Sequence, residues 1–359
     1  MGVHVTVHSE QREDLSSCES LPKVSVILLN YNGARFSALW ESLFVEEYPN
    51  KEILFVDNGS SDDSLARFQE VRAAHPNIES RVICVGSNEG FGVGNNLGYA
   101  QSTGEVISLV NPDVKVTPHW IAPVVEFFVS HPDVAVIGSK LMSLEQPETS
   151  DLSWNCIDSF GFPHVRELSH TEAQEVFFVE GSSIFVRREV IEKLGALFYP
   201  DYFLLWEDVD LCWRVRLLGF RCMIEPRSLA YHVRGGTASG RWMKRGEVNM
   251  ASGTRNRLVS LYTNYGTTRL ILFLPPAFFL TLTEGLLLWG TGQRREARGV
   301  FRGMYRAIKD SSGLGGRRSH VQSLRKVKDI EVIRLVLDPI SGLCELWQRW
   351  VLARNEGTR

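Results

Sequence analysis

Four short apolar runs punctuate the first part of the chain, and each stops at a polar cluster. Lys23-Val24-Ser25-Val26-Ile27-Leu28-Leu29 ends at Asn30-Tyr31-Asn32-Gly33, and Glu52-Ile53-Leu54-Phe55-Val56 ends at Asp57-Asn58-Gly59-Ser60. Arg81-Val82-Ile83-Cys84-Val85 gives way to Gly86-Ser87-Asn88, and Glu105–Val110 to Asn111-Pro112-Asp113. Runs this short, rich in β-branched residues, read as buried parallel strands, and the stretch through Trp40 and Phe44 between the first two reads as a helix. Strand, polar end and helix, repeated in this order, predict an α/β sheet whose ligands collect at the carboxyl edges of the strands.

The second half has its own pattern. Phe177–Val186 reads as a strand with a small-residue turn at Gly181-Ser182-Ser183, and Arg187-Arg188-Glu189-Val190-Ile191 opens a helix. A further strand begins near Cys222 and stops at His232. Between them Trp206-Glu207-Asp208-Val209-Asp210 places three carboxylates together at a helix start. Crowded carboxylates suit either a divalent cation or a general base with a raised pKa. The helix dipole accounts for one acid at such a position but not for three. Asp210 is expected to pair with Arg214 or a neighbour.

At the strand ends, Tyr31 and Asn32 either hold a base or ribose or form the strand-to-helix turn. Asp57 begins a stretch with good turn and N-cap chemistry. Asn88-Glu89-Gly90-Phe91-Gly92-Val93-Gly94-Asn95-Asn96 is similar to a glycine-rich phosphate loop entering a helix.

Composition adds an asymmetry. Residues 291–330 hold eleven Lys/Arg against three acids, whereas residues 1–269 hold 24 basic and 34 acidic residues. A basic block on an acidic protein faces a polyanion, nucleic acid or an anionic membrane. The preceding apolar stretch 270–290 favours the membrane and argues against nucleic acid. Pro275-Pro276 is expected to break or kink that helix, and a single crossing from the cytosol would carry the basic block outward. The expectation is therefore an interfacial or partly inserted helix, with a helix packed on the globular part as the alternative. The six cysteines include no C-x-x-C pair, which argues against a zinc site or disulfide framework and fits a reducing cytosol. Residues 1–22 read as a polar tail without the pattern of a secretory leader.

Taken together, residues 23–235 resemble the family 2 glycosyltransferases, whose nucleotide-binding fold is called GT-A. Tyr31-Asn32, the Asp57-Asn58-Gly59-Ser60-Ser61-Asp62 turn and Asn111-Pro112-Asp113 stand where that family has its Tyr-Asn pair, its Asp with a Gly-Ser-x-Asp turn, and its D-x-D element. Asn111 departs from the D-x-D pattern; it keeps hydrogen-bonding capacity but brings no charge, leaving Asp113 as the metal carboxylate. The resemblance implies a mixed sheet flanked by helices over 23–265 and a C-terminal, membrane-associated helical region over 266–359. It implies an inverting transfer with Asp208 as general base and Glu207, Trp206 and Gly181 around sugar and acceptor. The donor nucleotide would lie against Tyr31, Asn32, Asp57, Asn88, Asn95 and Asn111, with Mn2+ or Mg2+ held by Asp113 and His232. The implied partners are a nucleoside-diphosphate sugar, a lipid-linked saccharide acceptor and the cytoplasmic membrane surface. The C-terminal layout is similar to that of rhamnosyltransferases and other builders of surface glycans.

Two other classes are disfavoured. A processive synthase needs a Q-x-x-R-W element, and Gln348-Arg349-Trp350 has the wrong spacing. A dinucleotide enzyme should carry its glycines after the first strand rather than the third. A non-catalytic nucleotide-sugar-binding module is the remaining alternative.

Overall fold

The computed structural model describes residues 21–147, 155–233 and 246–338. Residues 1–20 of the expected polar tail and the Gln348-Arg349-Trp350 segment lie outside the described residues.

The first half builds β1 (Val24–Asn30), α1 (Ser37–Val45), β2 (Lys51–Asp57), α2 (Ser64–Ala74), β3 (Ser80–Cys84), α3 (Gly90–Gln101) and β4 (Val106–Val110). The four strands are parallel, in the order β3-β2-β1-β4. Every residue of β1 and β2 is buried, as expected of central parallel strands covered on both faces. β5 (Val114–Val116), α4 (Ala122–Ser130) and β6 (Val134–Ser143) follow, then a small hairpin of β7 (Cys156–Ile157) and β8 (Pro163–His164), and β9 (Gln174–Glu175). β10 (Ser183–Arg187), α5 (Arg188–Leu194), α6 (Glu207–Leu217) and β11 (Arg221–His232) complete the sheet. Its order continues from β4 through β10, β6 and β11 to β5. β10 is antiparallel to both β4 and β6, so the sheet is mixed.

The strand expected over Phe177–Val186 forms only in its second half. The N–H groups of Phe177 and Phe178 donate to the carbonyl of Asn155 (2.9 and 3.3 Å), outside the ladder, and the turn at Gly181-Ser182 then feeds β10.

Each face of the sheet carries an apolar core. On one, Trp40, Phe55 and Phe68 stack under α1 and α2. On the other, Ile27, Leu54 and Leu109 meet α6 and the C-terminal helices. Those helices are α7 (Gly246–Asn264), α8 (Thr267–Gly290), α9 (Arg294–Lys309), α10 (Ser311–Leu324) and α11 (Asp329–Ile333). α9 seats closely on α7 because Gly303 leaves no Cβ, which would stand 2.6 Å from the carbonyl oxygen of Ala251.

One expectation is corrected here. α8 is not broken at Pro275-Pro276 but runs through both. The carbonyls that lose their donors belong to Ile271 and Leu272, both exposed, while Ala277, Thr281, Gly285 and Leu288 pack on the inner side. Part of the basic block pairs within the protein. Arg317 pairs with Asp201, Arg318 donates to the carbonyl of Tyr265 (2.7 Å), and Arg325 pairs with Asp329.

Candidate active site

The carboxyl ends of β1, β2 and β4 open onto one edge, and the α6 N-terminus and the end of β11 reach the same edge. Asp208 sits in the first turn of α6, where helix N–H groups favour a negative charge. Its Oδ2 accepts the Gly181 N–H at 3.0 Å. Gly181 lies in the turn before β10, its Cα face against the Phe91 ring. Tertiary packing thus brings together residues from two distant segments.

The residues before Asp208 are strained. Leu205 and Trp206 have φ of 67° and 78°, in a region that non-glycine residues rarely occupy. The carbonyl of Leu205 is fixed by the Asn256 side-chain amide (2.8 Å) from α7. Trp206 is buried, and its indole N–H has no partner among the described residues. Glu207 is buried too, with Oε2 unpartnered. Burial, reinforced by the charge of Asp208, pushes the Glu207 carboxyl well above the usual carboxylate range. The third acid behaves differently. Asp210 is 1% exposed and bonds Arg214 Nε at 2.7 Å, meeting the expectation that it serves structure.

Asp113 and His232 meet across the sheet. β5 and β11 pair so that His232 stands opposite Val114, and His232 Nε2 lies 3.4 Å from Asp113 Oδ2. Burial alone would lower the imidazole pKa, but the hydrogen bond and charge of Asp113, with the charge of Glu180, raise it above its ordinary value. No cluster of three or more metal-ligating side chains occurs among the described residues.

The nucleotide candidates divide. Tyr31 is 49% exposed at the edge, and Asp57 is buried there with Oδ1 unpartnered. Asn111 begins the turn into β5, its N–H donating to the carbonyl of Ser182 (3.1 Å). Asn32, at φ 51°, uses its side chain to accept from Ser61 N–H (2.8 Å), tying the β1 loop to the β2 loop. Asn88 accepts from Gly90 N–H (3.0 Å) and Asn58 Nδ2 (3.1 Å), shaping the loop before α3. Asn95 is 1% exposed and donates to the carbonyl of Phe91 one turn back, while its Oδ1 has no partner among the described residues.

The likeness to a phosphate loop is also corrected. A Cβ on Gly94 would stand 2.4 Å from Leu29 Cδ1, and Gly90, at φ 87°, lies against the Phe203 backbone. These glycines let α3 approach the sheet and the 201–206 loop.

Three edge residues escaped the sequence reading. Asn30 is fully buried at the end of β1 with Oδ1 unpartnered, Ser182 has its hydroxyl unpartnered beside Gly181, and Asn58 braces the Asn88 loop. An Asn closing an apolar strand was the available signal for Asn30. Buried polar groups without partners are uncommon in native structures. Asn30, Asp57, Ser182, Trp206 and Glu207 gather such groups on the segments that form this edge.

Residues 22–246 match the family model described as glycosyltransferase like family 2. The chain is 27% identical over 217 residues to an uncharacterised glycosyltransferase of Nostoc sp., covering 59% of this chain and 65% of that one. It is 26% identical over 186 residues to the glucosyl-dolichyl phosphate glucuronosyltransferase of Haloferax volcanii, covering 48% and 55%. The chain spans between 25% and 65% of the lengths of the curated relatives it matches. Among solved structures it is similar to a mannosyltransferase of Pyrobaculum calidifontis in complex with GDP-Man and Mn2+, with TM-score 0.53 and 14% identity over 85% of this chain and 86% of that one. At that identity the likeness is one of fold, the GT-A mixed sheet flanked by helices.

Proposed function

Because this chain belongs to glycosyltransferase-like family 2, we propose that it is an inverting enzyme that moves a sugar from a nucleoside-diphosphate donor to a hydroxyl of a lipid-linked saccharide in surface-glycan synthesis. The observation that carries this reading is the Asp208–Gly181 contact, on the sheet edge that also holds the Asp113–His232 pair.

Asp208 and Glu207 divide the acid–base work. Two adjacent carboxylates whose environments differ separate in pKa. Burial and the neighbouring Asp208 raise the Glu207 carboxyl well above the usual range, which favours its neutral form beside Asp208. Asp208 takes the proton of the acceptor hydroxyl as that oxygen bonds to the anomeric carbon, while the bond from this carbon to the diphosphate oxygen breaks on the opposite face. Neutral Glu207 donates a hydrogen bond to a sugar hydroxyl, and Trp206 walls the acceptor side. Tyr31, Asp57 and Asn111 take base and ribose, and Asn32 and Asn88 hold the loops that carry them.

The donor set of Asp113 and His232 fits a hard divalent ion that keeps substrate and water oxygens in its shell, Mn2+ or Mg2+. Bound there, the ion supplies charge neutralisation at the departing diphosphate.

α8 supports a monotopic seat on the cytoplasmic membrane face. It is long and apolar enough to cross a bilayer by length and composition, and it exposes Phe279 (67%), Leu286 (59%) and Trp289 (49%). Six of the basic residues stand on α9 beside it. An interfacial helix of this kind would keep Asp208 within reach of a membrane-held acceptor.

The test is a thermal-shift panel of UDP, dTDP and GDP with and without Mn2+, then transfer assays with the matching sugars, rhamnose included. A shift requiring both metal and one nucleotide is expected. Equal shifts with and without metal would remove the metal assignment, and no shift with any nucleotide would remove the transferase reading.

A further inference from the structure

A cleft of about 340 Å³ lies between α7, α9 and the start of the loop that leads to Asp208. Its floor is polar, Ser252 and Asn256 of α7. One wall is cationic: Arg302, Arg306 and Lys309 lie four and three residues apart, which puts them on one face of α9. Their charges are not equally committed. Arg302 pairs with Glu247 (2.9 Å), and Arg255, deeper in the cleft, pairs with Asp201 (2.5 Å) and Asp310 (3.0 Å). Arg306 and Lys309 have no ion-pair partner among the described residues; the carboxylates of Asp201 and Asp310, which also line the cleft, are taken up by Arg255 and Arg317.

This cleft is coupled to the base through a short chain of contacts. Phe203, on its rim, accepts the N–H of Phe91 at 2.7 Å through its carbonyl. The Phe91 ring lies against Gly181, which bonds Asp208. Asn256, on the floor, holds the carbonyl of Leu205. An apolar surface adjoins the cationic wall: Tyr305, which also lines the cleft, and Ile308, further round α9, are 63% and 59% exposed, and α8 runs beside α9 with its own exposed apolar residues.

We propose that this cleft is the subsite for the phosphate or diphosphate of an amphiphilic acceptor, gripped by Arg306 and Lys309 so that the attached sugar reaches Asp208. The inference rests on the transferase reading above. Two free cations above a polar floor match a multiply charged phosphate group. An apolar tail leaving the cleft would run along Tyr305, Ile308 and the exposed side of α8. A free inorganic anion would use the cations but not the apolar exit.

The experiment measures binding of farnesyl diphosphate and of inorganic diphosphate to the full-length protein in detergent, with the donor site filled by the nucleoside diphosphate selected above. Farnesyl diphosphate is expected to bind more tightly than inorganic diphosphate. Arg306→Ala and Lys309→Ala should each weaken it by about tenfold, the loss of one charge-assisted hydrogen bond, with nucleotide affinity and melting point unchanged. Wild-type affinity in the double variant overturns the proposal. So does equal binding of inorganic diphosphate, which would mark a free-phosphate site. Loss of adhesion to phosphatidylglycerol vesicles with farnesyl diphosphate affinity intact also overturns it, because the cations would then serve the bilayer. If farnesyl diphosphate binds in an Arg306- and Lys309-dependent way while no nucleotide binds at all, the anion subsite stands and the transferase reading falls.

Discussion

Two carboxylates two residues apart in the same motif should fail in opposite ways when removed. Asp210 is buried against α7: its Oδ2 meets Arg214 Nε at 2.7 Å, and its Oδ1 accepts from Asn264 Nδ2 (3.0 Å) and Ser260 Oγ (3.3 Å). Asp210→Ala leaves the Arg214 guanidinium, itself 1% exposed, with no carboxylate partner among the described residues, its remaining contacts being the carbonyls of Ala196 and Leu197 and the Tyr199 ring. Breaking a buried ion pair from one side costs about 3–5 kcal/mol. That is a large part of the roughly 5–15 kcal/mol that holds a domain folded. Asp208→Asn is different, because the carboxamide oxygen still accepts the Gly181 N–H and the side chain is only partly buried. Its stability should stay within about 1 kcal/mol of wild type. Its turnover should fall about 100- to 10,000-fold, the range for losing a general base. Urea denaturation of both variants, with turnover on the matching donor, separates the two. Wild-type stability in Asp210→Ala, or near-normal turnover in Asp208→Asn, would refute the division of roles.

Further predictions concern the far edge, the metal pair and the apolar helix. Burial alone would raise the Glu52 carboxyl, but hydrogen bonds from Ser25, Thr103 and Arg81 outweigh it and pull the pKa from 4.5 to about 2. A folded pKa below the unfolded one stabilises above the unfolded value and is lost as pH falls between them. Glu52→Gln should therefore cost about 3 kcal/mol at pH 7, and the difference from wild type should shrink between about pH 4.5 and pH 2 in acid-denaturation curves. Asp113→Ala should weaken metal-dependent nucleotide binding as well as turnover, read by calorimetry with and without Mn2+; unchanged Mn2+ dependence would remove Asp113 from the metal. Leu286→Asp, at an exposed position of α8, should reduce cosedimentation with anionic vesicles while leaving nucleotide affinity intact. Undiminished sedimentation would place the membrane contact elsewhere. Deleting the helices outright is the poorer test, since Ser260 and Asn264 of α7 hold Asp210 and Lys326 N–H bonds the carbonyl of Leu217.

The local pattern was sufficient for much of this. Buried parallel strands must be continuously apolar, so β1, β2 and β4 stood out along the chain within a residue or so of their ends, and the edge strand β3, buried only at Ser80, carried enough of the same pattern to be found. Their polar terminations marked the candidate ligand edge, because parallel strands deliver their carboxyl ends to one side. The Asp210–Arg214 pair was legible too, since residues four apart share a helix face.

What the chain could not announce was anything set by contact between distant segments. The meeting of Asp113 with His232 depends on the β5–β11 register, and that of Asp208 with Gly181 on where the α6 terminus lands. Glycines at 90 and 94 imitate a phosphate loop in sequence, but their purpose is decided by Phe203 and Leu29, which only the packed state places against them. The use of charge is set in the same way: composition counts arginines, whereas burial decides which of them face Asp201 or Asp329 and which face solvent. Apolar periodicity fixes elements because the hydrophobic effect is non-directional and roughly additive in area. Site chemistry depends on directional contacts a few ångströms long, and those exist only once the elements have packed.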